Sequence, residues 1–221
     1  MWYDVAERLD PERFTMHLLD FRGCGLSDRP MDGHNLEGYA TDARAAIEAI
    51  GKPVIVAGHS MGGKIAQYIA AERLVHVRKL ILVAPGTAKG GSGTERQRER
   101  ALGAFGSRTK IEAFQRAAMG IDVSPQTMQR IVDDALTVQH ESWYGWYDNG
   151  RFADFFDRLQ NIEVPALCVG GGKDPLIPPS RLKREVAQPI RGSLLVTLRD
   201  AGHNLPVEMP DEIASAVARF A

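Results

Sequence analysis

A mostly parallel β-sheet with helices on both faces, the α/β class, is the architecture this 221-residue sequence predicts, together with a helical cap insertion. Three observations predict it. Apolar runs rich in β-branched residues at Val54–Ala57, Lys79–Val83 and Val164–Val169 read as buried strands, and Leu194–Leu198 as a last strand. They alternate with segments whose apolar residues recur at helical spacing, a rhythm that builds parallel sheets covered on both sides. Between Thr87 and Asn161 the rhythm stops, and several helical patterns follow one another without a convincing strand. The chain therefore divides into a first core part at 1–86, the cap at 87–161 and a second core part at 162–221.

Composition bounds the function classes. At 44% hydrophobic and 25% charged, the chain is ordinary for a globular protein, and its formal net charge of −1 creates no field for nucleic acid or an anionic membrane. Arg96, Arg98 and Arg100 are interleaved with Glu95 and Glu99, which reads as a solvated helix face. Cys24 and Cys168 are far apart and lack metal-ligand spacing. With no bilayer-length apolar run and no charged-then-apolar leader, a cytoplasmic protein without metal or cofactor is expected.

Taken in order, Trp2, Val5, Ala6 and Leu9 place one apolar face on a helix spanning Met1 to Leu9. Phe14–Asp20 reads as a short strand, with His17 a satisfied core residue within it. The glycine-rich stretch Arg22–Asp28 reads as a turn held by local Ser and Asp hydrogen bonds. It is no dinucleotide loop, because Asp28 stands where a third glycine would be needed. Leu36, Tyr39, Ala43, Ile47 and Ile50 step along a second helix that Gly51 stops. The cap opens with a Gly/Ser stretch at Gly90–Gly93 and closes with an aromatic cluster. From that cluster Trp143, Trp146, Tyr147 and Phe155 are candidate walls of a substrate pocket. Ile213, Val217 and Phe220 mark a closing helix.

The chemistry concentrates at Gly58-His59-Ser60-Met61-Gly62, where the strand Val54–Ala57 meets a helix beginning at Met61. Small neighbours at 58 and 62 allow a sharp corner that lifts the Ser60 hydroxyl above the sheet edge. Gly58, Gly63 and Lys64 also match most of a phosphate loop, but Ile65 stands where that loop needs a hydroxyl for magnesium. A serine alcohol needs a base, and His203, after the last strand, has the ordinary pKa for one. Asp174 follows the strand Val164–Val169 and is biased by Pro175 away from helical geometry, so it can orient the imidazole. The Met61 N–H opens the helix beside Ser60 and is the candidate oxyanion donor. Asp200 lies only three residues before His203 and reads as a loop cap, and His59 reads as structural.

Together these motifs resemble the α/β-hydrolase fold superfamily. The branch it resembles carries Gly-His-Ser-Met-Gly-Gly at the elbow and, before it, Asp20, Arg22, Gly23, Gly25 and Ser27. After it come Gly171 and Asp174, then Gly202, His203, Glu208 and Pro210. The resemblance runs from Met1 to Ala221 and implies a catalytic triad of Ser60, Asp174 and His203. Dehalogenases and epoxide hydrolases of this fold place Asp where this chain has Ser60. Members of the superfamily carry about three further strands before the Trp2-like helix, the third ending in a His-Gly loop that supplies a second oxyanion N–H. That third strand lies between the equivalents of Thr15–Asp20 and Val54–Ala57. This chain has neither the strands nor the loop, so it is expected to be an N-terminally shortened version, or else to close the two flanking strands together.

The function these readings imply is a cofactor-free serine hydrolase of carboxylic esters or related acyl or carbonyl compounds, working through an acyl-enzyme on a small-molecule substrate. The alternatives within the fold are a carbon–carbon bond hydrolase and a cofactor-free haloperoxidase-like enzyme. From another class comes a truncated, weak or dead chain acting as a binding module. Substrate identity and oligomeric state are not encoded in these motifs.

Overall fold

Four strands, β1 (Val54–His59), β2 (Val77–Val83), β3 (Ala166–Gly171) and β4 (Leu194–Leu198), pair in parallel in the order β1-β2-β3-β4. The computed structural model describes residues 1–91 and 94–221. Ser92 and Gly93 of the expected Gly/Ser stretch lie outside them. Alternation along the strands builds two cores. Leu80, Leu82, Ala166 and Cys168 face one side, where α2 (Leu36–Ile50) and α3 (Met61–Ala70) cover them. Ile81, Val83, Leu167 and Val169 face the other, under α1 (Tyr3–Ala6) and the closing helix Pro210–Phe220. The central strands β2 and β3 are thus apolar on consecutive positions because each face has its own layer, whereas the edge strand β4 exposes Leu194, Leu195 and Val196.

Local signals set the helix ends. Asn35 caps α2 by accepting from the Gly38 N–H, and Gly51 ends it in the left-handed region at φ 62°. Between β2 and β3 run α4 (Glu95–Leu102), α5 (Arg108–Arg116), α6 (Pro125–Leu136) and α7 (His140–Asp148). They have a core of their own built on Ala104, Ile111, Met128, Val132 and Trp143. After β3 come α8 (Pro179–Leu182), continued by a wider turn over Lys183–Ala187, and after β4 come α9 (Leu205–Glu208) and α10 (Pro210–Phe220). Among the described residues no helix is long and apolar enough to cross a membrane.

The expected strand Phe14–Asp20 does not form. Phe14 and Met16 pack under the α1 and α10 side of the sheet, but Thr15 to Leu19 make no backbone hydrogen bond among the described residues. A strand exists only through a ladder, and this segment does not pair with β1. His17 is consequently exposed, not a core residue, and Leu18 and Leu19 are exposed too. The edge of β1 is open for the same reason. The N–H groups of Val54 and Ser60 donate toward β2, to His76 and Val83 at 2.8 and 3.2 Å. By the two-residue period of a strand, Ile55, Ala57 and His59 point their backbone groups the other way. The flanking strands therefore do not close up.

One buried cation ties α3 to the insertion. Lys64 is fully buried, donates from Nζ to the Arg151 carbonyl at 2.8 Å and has Asp154 as its nearest opposing charge. Burial lowers its pKa from 10.5 to about 8. The folded state therefore disfavours the protonated form, so the penalty stands in full below pH 8 and is relieved as pH rises toward 10.5.

Two measurements check this description. In hydrogen exchange, the amides of Thr15–Leu19 and of Ile55 and Ala57 exchange at least tenfold faster than those of Leu80–Leu82 and Leu167–Val169; comparable protection would mean the edge is paired. In urea titrations, parent stability rises relative to Lys64→Met by about 2 kcal/mol between pH 7.5 and pH 10. A pH-independent difference would show that Lys64 is not buried in charged form.

Candidate active site

Ser60 occupies the corner between β1 and α3 with φ 51°, a conformation that side chains rarely adopt. The corner survives because its surroundings leave no room for anything else. A Cβ on Gly58 would meet the Gly62 carbonyl oxygen at 2.3 Å, and one on Gly63 would meet Pro85 at 2.5 Å. Gly62 has open space, so the crowded pair is Gly58 and Gly63, not Gly58 and Gly62 as the motif suggests. The Ser60 carbonyl accepts from the N–H groups of Lys64 and Gly86, which locks the corner to the start of α3 and to the loop after β2.

The three residues that the chain order singles out come together. The Nε2 of His203 lies 2.8 Å from Ser60 Oγ, and its Nδ1 lies 2.8 Å from Asp174 Oδ2. With Nδ1–H donating to the carboxylate, Nε2 is free to accept the serine proton. Asp174 and His203 are both buried. Burial by itself pushes the Asp174 carboxyl up, but the His203 hydrogen bond and charge and the N–H groups of Ile177 and Leu176 outweigh it. The net result lies below the usual value. Both N–H groups donate to Oδ1, at 2.8 and 2.9 Å, leaving Oδ2 for the histidine. Asp200 stands apart in an exposed ion pair with Lys173.

His203 sits on a loop, and Glu208 and His59 hold it there. Glu208 accepts from four backbone N–H groups, those of Gly120, Ile121 and Gly202 at Oε2 and Asn204 at Oε1, at 2.7 to 3.1 Å. It joins the histidine loop to the α5–α6 loop, reinforced by the His203 N–H donating to the Ala118 carbonyl. The only signal was its place in the Gly-His-x-x-x-x-Glu-x-Pro pattern. His59 donates from Nε2 to the His203 carbonyl at 2.8 Å, so its structural role is one of positioning. Its burial, and then the neighbouring His203, lower its pKa to about 3, keeping it neutral.

A cavity of ≈250 Å³ opens beside Ser60 and His203, small for a ligand pocket. Trp146 and Tyr147 line it as expected. Trp143 and Phe155 do not. The Trp143 ring is buried in the insertion's own core, with Nε1 donating to the Ala101 carbonyl, and Phe155 packs edge-on against Tyr68 beneath the insertion. Trp143, Trp146 and Tyr147 lie three and four residues apart on one side of α7, with the Trp143 and Tyr147 rings 5.6 Å apart, but Trp143 ends in the insertion's core while Trp146 and Tyr147, one turn further on, reach the cavity. Pro175, Leu176 and Ile177 close the opposite wall. The α4 face read as solvated also contributes, through Gln97 and Arg100. The arrangement can activate a hydroxyl for attack on a small acyl group, with the Met61 N–H at the start of α3 beside it.

A sequence profile described as the alpha/beta hydrolase family matches residues 1–216. The chain is 32% identical over 218 residues to an AB hydrolase superfamily protein, YisY, of Bacillus subtilis, covering 91% of this chain and 79% of that one. It is 26% identical to a non-heme chloroperoxidase of Streptomyces lividans, with the same two coverages. Among solved structures, an esterase from Exiguobacterium antarcticum superposes with a TM-score of 0.83 at 21% identity, over 91% of this chain and 79% of that one.

The histidine loop makes Glu208 testable. Glutamine has one acceptor oxygen where the carboxylate has two, so Glu208→Gln leaves backbone N–H groups unsatisfied. The expected result is a loss of about 2–4 kcal/mol in urea stability, with kcat falling more than KM rises, while Asp200→Asn changes neither. A neutral Glu208→Gln would remove Glu208 from the positioning of His203.

Proposed function

Since the chain belongs to the alpha/beta hydrolase family, we propose that it is a serine hydrolase of small carboxylic esters or related acyl compounds. The observation that carries this reading is the unbroken chain of hydrogen bonds from Ser60 through His203 to Asp174 at the floor of a cavity.

Ser60 Oγ attacks the acyl carbonyl carbon while His203 Nε2 takes its proton. The imidazolium this creates is stabilised by the Asp174 carboxylate, which its hydrogen bonds hold ionised. The tetrahedral oxyanion accepts from the Met61 N–H. His203 then returns the proton to the leaving group, and an acyl-Ser60 intermediate remains. Water, deprotonated by the same imidazole, attacks this ester and regenerates the serine. In this reading residues 87–161 act as the cap, between core parts 1–86 and 162–221, and select substrates through Trp146 and Tyr147.

The match to a non-heme chloroperoxidase favours a second reading of the same site. If hydrogen peroxide replaces water in the second half-reaction, the acyl-enzyme releases a peracid, and no other residue need change. The two readings therefore differ in the nucleophile admitted, not in Ser60.

The test is intact-mass labelling with an organophosphonate serine probe, alongside hydrolysis of 4-nitrophenyl acetate. The parent gains one adduct and cleaves the ester, and Ser60→Ala does neither. Asp174→Asn lowers kcat on the order of 10³–10⁴-fold. A folded parent that is not labelled would overturn the hydrolase reading. Faster cleavage of a vinylogous diketone than of the aryl ester would move the assignment to carbon–carbon hydrolysis, and peroxide-dependent peracid formation would move it to perhydrolysis.

A further inference from the structure

The charged side chains lining the cavity are all potential cations. Arg100 and Arg151 join His203 there, and among the described residues no carboxylate lines it. Arg151 is the unusual one. It is only 7% exposed, yet its Nε has no hydrogen-bond partner, and no described carboxylate forms an ion pair with its guanidinium. Other sheltered arginines are paired: Arg22 with Asp42, Arg44 with Glu37 and Glu72, and Arg181 with Glu185.

The carboxylates whose charge acts on Arg151, Glu95 and Asp148, and its neighbour in the chain Asp154 are already committed. Glu95 and Asp148 both bond to Arg98, and Asp154 accepts from the N–H groups of Gly90 and Phe156. The guanidinium carbon lies over the Phe152 ring, 4.6 Å from its centroid, a contact that supplies no hydrogen-bond acceptor to the N–H groups. A buried cation without a counter-ion costs stability, and a fork of N–H donors fits a carboxylate in bidentate fashion. The missing partner belongs in the cavity.

We propose that the acyl substrate of this site carries a carboxylate, held by Arg151 while the scissile carbonyl sits at Ser60. Arg100, more exposed on α4, adds to the field that draws the anion in. Phe114, Trp146 and Leu176 pack the apolar chain between the two ends. The inference deepens the serine-hydrolase reading and rests on it for the position of the reacting carbonyl.

The experiment compares 4-nitrophenyl butyrate with the 4-nitrophenyl monoesters of succinate, glutarate and adipate. The best monoanionic ester is expected to exceed the neutral one in kcat/KM by about tenfold to a hundredfold, mostly through KM, with the advantage shrinking as salt is added. Arg151→Met lowers the anionic-to-neutral ratio by a similar factor, and Arg151→Lys restores part of it. Equal rates for both ester types in the parent, or an Arg151→Met variant that slows both alike, would overturn the proposal.

A binding arm separates this from the hydrolase reading. Calorimetric titration of Ser60→Ala with glutarate shows binding at least tenfold tighter than with glutaramide, and Arg151→Met in that background removes the difference. Equal affinity for the two would sink the carboxylate proposal whether or not Ser60 is reactive. Glutarate selectivity in a parent that the phosphonate does not label would leave Arg151 an anion site and remove the hydrolase reading alone.

Discussion

One carboxylate holds the least regular part of the molecule in place. Ser60 and Asp174 follow directly from strand ends, where the sheet sets their positions, but His203 lies in a loop between β4 and α9. Four backbone N–H groups converge on Glu208, drawn from both sides of the interface between that loop and the helical insertion. A single neutral acceptor could not satisfy them, and leaving them unmade would orphan several amides at once. The same contacts bring the insertion against the sheet, so the wall of the cavity and the position of the imidazole share one support.

The serine corner works by exclusion. Ser60 keeps its unfavourable φ because Gly58 and Gly63 let two backbones approach at distances no side chain would permit, and because the Ser60 carbonyl is bonded twice. The strain is thus compensated by packing that is hard to rearrange. A rigid hydroxyl 2.8 Å from a base is the arrangement in which a proton can pass without large motion.

Away from that rigid centre, two places among the described residues leave polar groups unpaired for different reasons. The β1 edge and the segment Thr15–Leu19 leave backbone groups unpaired, as edge strands do when nothing covers them. Arg151 leaves a guanidinium unpaired in a buried place. The first is a property of pairing between distant segments, and the second is a property of what the cavity holds.

The sequence by itself determined the alternation of strands and helices, the corner at Ser60 and the order Ser60, Asp174, His203. Each of these is written in local terms: consecutive β-branched residues, a glycine beside a serine, a proline after an aspartate. Local pattern could not make a strand of 14–20, because a ladder needs a partner that no such pattern supplies. Nor could it tell Trp146 from Trp143. Both are aromatic and three residues apart, and only the packing of α7 against α4 sends one to a core and the other to the cavity. The roles of Glu208 and Arg151, and the contact through which His59 acts, were decided by tertiary structure alone. Each depends on which backbone amides, carbonyls or carboxylates the fold brings within 3 Å, or leaves out of reach, from segments far apart in the chain.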